Sequence, residues 1–390
     1  MTFDILAQDP KSRARVGRFR AGEVTVETPS YVAVATNGYI RALEPEDISK
    51  TGTQMAIANT YHLWRDLGDA GLATYPGLHE TMEWQDGLLM TDSGGFQVFS
   101  MGASREHGIG KVSVENTGDV RPGESVVRVT DAGVYFSEGG EEEYLDAELS
   151  MRIQEQLGAD IVLAFDEPSS PKHDKAYTRI AMERTHRWAE RCLEAKTSEQ
   201  MLYGIVQGGA HEDLRAESAK FIGGLPFHGF AIGGAFSNSF GDSREDTAKE
   251  LEWTIPHLPE RKPRHLLGIG RIEDIFIGVE AGIDTFDCVI PTREARHGGL
   301  WTRAGRLDIG GKGKFADDGN LVTKDCGCPT CAVEQVERRE LHRLFRAKDP
   351  QAGRLATMHN LWFFNDLMRQ VRDAVNVGRF AELKKEFLQR

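Results

Sequence analysis

Eight short, nearly continuous apolar runs punctuate the chain: SYVAVAT (30–36), QMAIANT (54–60), GLLMTDS (87–93), DIVLAFD (160–166), LYGIVQG (202–208), GFAIGG (229–234), HLLGIG (265–270) and DTFDCVI (284–290). Between them lie segments with helical spacing of apolar residues, such as AELSMRIQEQLG and DTAKELEWTI. Strands apolar on both faces suit a parallel sheet covered by helices. Eight such β/α units predict an α/β fold, the TIM (β/α)8 barrel. The C-terminal ends of these runs carry Asn59, Asp92, Asp166, Gln207, the Gly233-Gly234 pair, the Gly268-Ile269-Gly270 turn and Asp287. Any one of them alone is an ordinary cap or turn residue. Their repetition at equivalent places points to a site, because the loops after barrel strands converge on one mouth.

Two segments break the repeat. Residues 108–140 alternate β-branched and polar positions between Gly and Asp turns, which predicts an antiparallel ribbon inserted between the third and fourth units. From about residue 303 a Gly- and Lys-rich stretch, RLDIGGKGKF, leads into a cysteine cluster and then helices. The expected division is a barrel core over 1–302 and a zinc-binding subdomain with C-terminal helices that complete the barrel over 303–390.

The 390 residues, 40% hydrophobic and 27% charged, have ordinary globular composition. No run approaches the ~18 apolar residues of a membrane span, and the N-terminal segment lacks the apolar core of a signal peptide. A cytoplasmic protein is expected. The net charge of −13 argues against a polyanion partner until its distribution is considered. From residue 291 onward there are 19 Lys and Arg against 13 Asp and Glu, so a basic C-terminal quarter follows an acidic body of net −19. That pattern fits either a local nucleic-acid face or a solvated helical surface.

Of the five cysteines, Cys192 and Cys288 sit in apolar, packing-type settings. Cys326, Cys328 and Cys331 form a C-x-C-x2-C run, and 27 residues separate it from His359. Three thiolates and an imidazole make a tetrahedral zinc set with no position left for water, so one structural Zn2+ per chain is expected. His342 is the alternative fourth ligand, and buried free thiols are the alternative to a metal.

Asp92 and Asp287 end the third and eighth expected strands. Paired carboxylates suit chemistry at an anomeric carbon, although two structural carboxylates capping loops would look the same. Around them the motifs NTYHL (59–63), TDSGGFQV (91–98), GADIVLAFDE (158–167), GIVQGG (204–209), FAIGG (230–234), FDCVIPTREARHG (286–298) and the C-x-C-x2-C…H set follow one another. Together, over about residues 15–375, they resemble the tRNA-guanine transglycosylase family, of the bacterial queuine tRNA-ribosyltransferase type.

The resemblance implies exchange of the wobble guanine in the anticodon loop of G-U-N tRNAs for a 7-deazaguanine, either 7-aminomethyl-7-deazaguanine (preQ1) or queuine, in queuosine biosynthesis or salvage. It makes Asp287 the nucleophile on ribose C1′ and Asp92 the general acid/base. It also implies that Asp166, Gln207 and the Gly233-Gly234 backbone read the purine edge with help from Ser93, that Phe96 stacks on the base with Leu267 on the opposite face, and that Arg293 and Arg296 contact anticodon nucleotides. A homodimer is implied as well, one protomer doing the chemistry while the other orients the tRNA.

The chain departs from the bacterial pattern where Cys-Thr is usual, with Pro168-Ser169, and where Leu-x-Val-Gly-Glu is usual, with Ala235 to Ser239. The missing Glu and a small Ser237 leave room for a bulkier base such as queuine. Three other readings stand beside this one: a non-catalytic RNA-binding subunit, a DNA-acting deazaguanine transglycosylase, and an unrelated barrel hydrolase or lyase with a catalytic metal at Asp92, Asp166 and Asp287. Retention of both Asp92 and Asp287 disfavours the first, the intact PTREAR segment the second, and the scarcity of histidines at strand ends the third.

Overall fold

The computed structural model describes residues 1–99, 127–138, 141–169, 173–233, 244–311 and 313–389. Eight parallel strands form a closed barrel, the expected TIM architecture: Ser30–Val34, Met55–Ala58, Leu88–Thr91, Ile161–Leu163, Met201–Val206, Gly229–Ile232, Arg264–Leu266 and Thr285–Asp287. Each lies within or overlaps one of the eight apolar runs. Six of the eight are buried at every position, as strands covered on both faces must be.

The chain divides into two compact units, one of residues 1–58, 78–89 and 263–390 and the other of 59–77 and 90–262. In the first, the seventh, eighth, first and second barrel strands pair in parallel, with His265 opposite Thr285, Asp287 opposite Val32, and Val34 opposite Ile57. The sequence did not announce the antiparallel sheet of Thr2–Gln8, Arg15–Ala21 and Val24–Thr28 at its start. That sheet ties into the barrel through Arg15, whose guanidinium donates to both oxygens of buried Asp284, one residue before the eighth barrel strand. The C-terminal part carries a hairpin of Gly299–Thr302 and Gly305–Asp308, the cysteine knuckle, and the helices Arg338–Ala347, Pro350–Asn376 and Phe380–Leu388.

In the second unit, Thr91 pairs with Val162, Leu163 with Tyr203, and Val206 with Ile232. Two of its helices start at acidic caps that the sequence supplies. Asp146 accepts from the Leu149 amide at the head of Ala147–Leu157, and Asp174 from Tyr177 at the head of Lys175–Ala195. The expected insert is an antiparallel sheet of Val127–Val129, Val134–Glu138 and Glu141–Leu145 as far as it is described; 108–126 and 139–140 lie outside the described residues. No described helix is long and apolar enough to cross a membrane.

Candidate active site

Asp92 follows the third barrel strand directly and is half-buried. Its carboxylate accepts from Asn59 Nδ2 at 2.5 Å and Gln97 Nε2 at 3.3 Å on Oδ2, and from the Thr60 and Gly94 amides, each at 3.0 Å, on Oδ1. Asn59 works twice, since its Oδ1 also accepts from the His62 amide and caps helix Thr60–Leu72. The carboxylate therefore meets the amide end of a helix, where negative charge is favoured.

Beside it in the same unit is a buried polar cluster. Ser93, Asp166 and Gln207 are each at most 5% exposed. Ser93 Oγ donates to Asp166 Oδ1 at 3.2 Å, and Gln207 Nε2 to Oδ2 at 2.7 Å. Burial pushes the Asp166 carboxyl up to about 6, against the opposing pull of the Gln207 and Ser93 hydrogen bonds. Carboxylate, hydroxyl and amide together offer acceptors and donors for the edge of a planar heterocycle. Gly233 leaves no space for a side chain, because a Cβ there would sit 2.4 Å from Gln207 Nε2. Its own amide donates to the Val206 carbonyl, and its carbonyl accepts from buried Arg215 at 2.6 Å. Phe96 is 46% exposed, unusual for a large apolar ring and suited to stacking. Gly234 and the departures at Ala235 to Ser239 lie outside the described residues; Pro168 and Ser169 are buried.

Asp287 is the last residue of the eighth barrel strand, with 15% of its side chain exposed. His265 Nε2 at 3.1 Å and the Gly268 amide at 2.9 Å both engage Oδ1, and Oδ2 has no hydrogen-bond partner among the described residues. The left-handed backbone of Gly268, φ +70°, turns that amide toward the carboxylate. Leu267, just before it, is half-buried. His265 was missed in the sequence because it sits inside an apolar run.

Helix Ile290–Arg296 follows the carboxylate and presents Arg293 and Arg296, both half-buried and neither paired with an acid among the described residues. Burial, then the nearby Arg41 and Arg293 guanidinium groups, lowers the Arg296 pKa from its ordinary value. Exposed Arg41 is a third member of this cluster that spacing did not reveal, and Tyr39 beside it is 52% exposed. Three cations gathered with no acidic partner among the described residues can attract a polyanion.

In the same unit the donor atoms of Cys326, Cys328, Cys331 and His359 lie within 4.8 Å of one another and can hold a metal ion. The three Sγ atoms are 3.8, 3.3 and 3.6 Å from His359 Nδ1. His359 Nε2 lies 2.8 Å from the Trp301 carbonyl, the outer contact that orients a ligating imidazole. His342 is not in the group; its Nδ1 lies 2.8 Å from the Ile309 carbonyl. The next residue on the helix, Asn360, is fully buried, accepts from the Trp301 amide and donates to the carbonyls of Pro291 and Gly299. The helix that carries His359 thereby holds the start of the arginine helix.

Residues 9–390 match the family model for queuine tRNA-ribosyltransferase. A protein named putative queuine tRNA-ribosyltransferase from Archaeoglobus fulgidus is 42% identical, over 96% of either chain. Queuine tRNA-ribosyltransferases from a Roseiflexus species and from Aliivibrio fischeri are 40% and 38% identical over the whole of this chain and 99% and 97% of their own.

Proposed function

The chain belongs to the queuine tRNA-ribosyltransferase family, the tRNA-guanine transglycosylases, and we propose that it exchanges the wobble guanine of G-U-N tRNAs for a 7-deazaguanine. The observation that carries this reading is Asp287, a carboxylate at a strand end with Oδ1 anchored and Oδ2 left to react. In the first step Oδ2 attacks ribose C1′, the C1′–N9 bond breaks, and guanine leaves with the electron pair. Asp92 gives the departing base a proton and takes one from the incoming base. N9 of that base then attacks C1′, the C1′–Oδ2 bond breaks, and the pair returns to Asp287. Two inversions restore the β-anomer.

Asp166, Gln207 and the Gly233-Gly234 backbone read the purine edge with help from Ser93, and Phe96 stacks on the base with Leu267 on the opposite face. The target guanosine must leave the stacked anticodon loop to reach C1′, and Arg293, Arg296 and Arg41 hold the neighbouring nucleotides. The resident metal is a structural Zn2+ on Cys326, Cys328, Cys331 and His359; a full protein ligand set supplies no reactive water and only organises the chain. In functional terms, residues 1–302 are the catalytic barrel with its insertion at about 108–140, and 303–390 the zinc-binding subdomain and closing helices. The enzyme works in the cytoplasm as a homodimer, and the incoming base is preQ1 or queuine.

The deciding experiment is incorporation of labelled guanine into an unmodified G-U-N tRNA transcript, chased separately with preQ1 and queuine. Incorporation is expected, and the faster of the two chases identifies the base inserted. Absence of label despite tRNA binding would overturn the activity, and label entering DNA instead would move the substrate.

A further inference from the structure

The seventh barrel strand carries a histidine at a place where an apolar residue would complete the core. His265 has no exposed surface. Its Nδ1 lies 2.9 Å from Thr285 Oγ1, directly opposite in the strand register, and its Nε2 3.1 Å from Asp287 Oδ1, two residues farther along the eighth strand. A carboxylate only accepts, so Nε2 carries a proton toward it. The Thr285 hydroxyl, which can donate or accept, gives Nδ1 its partner, so both ring nitrogens are engaged and the ring plane is held. A histidine placed only for packing needs neither partner, and Phe would fill the same space.

From this geometry we infer that His265 is a positioning residue for the nucleophile: together with the Gly268 amide it holds Asp287 Oδ1 so that Oδ2 alone is presented to C1′. The inference rests on Asp287 being the nucleophile. It bears on both halves of the exchange. When the Oδ2–C1′ bond forms and C1′–N9 breaks, Oδ1 becomes the carbonyl oxygen of the ester and keeps its two donors. When N9 of the incoming base forms its bond to C1′ and C1′–Oδ2 breaks, negative charge returns to the carboxylate, and the same donors meet it on Oδ1. Donors fixed where charge redevelops lower the barrier without having to reorganise. Thr285 acts one contact farther away, by holding the ring.

The test uses the full-length, zinc-loaded enzyme and an unmodified G-U-N transcript, with steady-state guanine exchange, adduct formation on denaturing gels and thermal melting as readouts. His265→Phe keeps the ring volume and removes the donor. It is expected to lower kcat and the adduct rate about 30- to 100-fold while the KM for tRNA stays within about twofold. His265→Gln, whose side-chain amide extends to the Nε2 position, is expected to recover at least about tenfold of that loss, whereas His265→Asn, one carbon shorter, stays as slow as Phe. The Gln and Asn variants keep the comparison open if Phe folds poorly. Equal kcat in wild type and His265→Phe, or equal rates for Gln and Asn at equal melting temperature, overturns the positioning role. Loss of the adduct in wild type, or its persistence in Asp287→Asn, strikes the nucleophile assignment itself and is read separately.

Discussion

The side-chain amide of Gln207 donates to Oδ2 of Asp166 across 2.7 Å, joining the ends of two adjacent barrel strands in a buried contact. This hydrogen bond favours the ionised carboxylate, yet burial prevails and holds the pKa near 6. Asp166 is therefore ionised at neutral pH, the form its proposed role as a purine-edge acceptor needs, and loses that form in mildly acidic solution. Guanine affinity is expected to fall about tenfold per pH unit below 6, a dependence absent from Asp166→Asn, which binds roughly 10- to 100-fold more weakly at pH 7.5. A flat profile for the wild type between pH 5 and 7 would count against Asp166 as the acceptor.

The same shift has a sign for stability. The folded pKa lies above the ordinary value of 3.8, so the folded state binds the proton more tightly. The favourable contribution is complete below about pH 4 and lost as pH rises through about 6. Denaturant titrations of wild type and Asp166→Asn should show the wild type gaining on the variant as pH falls from 7 to 4, by up to about 3 kcal/mol. A difference that stays constant or moves the other way would mean that Asp166 is better solvated than its surroundings imply.

Asp287→Asn preserves shape but replaces one carboxylate oxygen by an amide group that cannot attack C1′. It is expected to fold and bind tRNA within about threefold of wild type, with kcat reduced by at least about 1,000-fold. No RNA adduct should survive denaturing electrophoresis. A surviving adduct would reassign the nucleophile.

Arg41, Arg293 and Arg296 come from places some 250 residues apart in sequence and gather without an acidic partner among the described residues. If each meets a phosphate, each Ala substitution should weaken tRNA binding about 3- to 10-fold and lower the slope of log K against log salt by about one. Fluorescence titrations at several salt concentrations measure both. Weaker binding with an unchanged slope would place the contact on a base or sugar.

How far the sequence reveals this molecule depends on the range of each signal. The barrel strands declare themselves because burial on both faces leaves unbroken apolar runs, and Asp92, Asp166, Gln207 and Asp287 are legible as polar residues ending them. The C-x-C-x2-C knuckle is equally local. His265 looks like one more core position, since its partners Thr285 and Asp287 are in the next strand and only the register joins them. Arg41 carries no signal until the chain folds. The N-terminal sheet begins with a strand of alternating exposed and half-buried residues and has no continuous apolar run to mark it.

The metal knuckle and the arginine helix are joined through one side chain, and that join makes a last prediction. Cys328→Ala removes a thiolate from the four-ligand set and should abolish zinc binding and cost at least about 3 kcal/mol of stability, because metal binding and folding are one equilibrium in such sites. Asn360→Ala leaves all four ligands in place but strands the Trp301 amide and the carbonyls of Pro291 and Gly299. Leaving buried groups unpaired costs about 1–3 kcal/mol, with the loss centred on the segment that carries Arg293 and Arg296. Asn360→Ala is therefore expected to keep one zinc per chain by atomic absorption while the KM for tRNA rises about 3- to 10-fold, the size of one lost arginine contact. Full zinc content with an unchanged KM would show that the arginine helix is held by its packing alone. Loss of zinc from Asn360→Ala would show instead that Asn360 is needed to keep His359 in place.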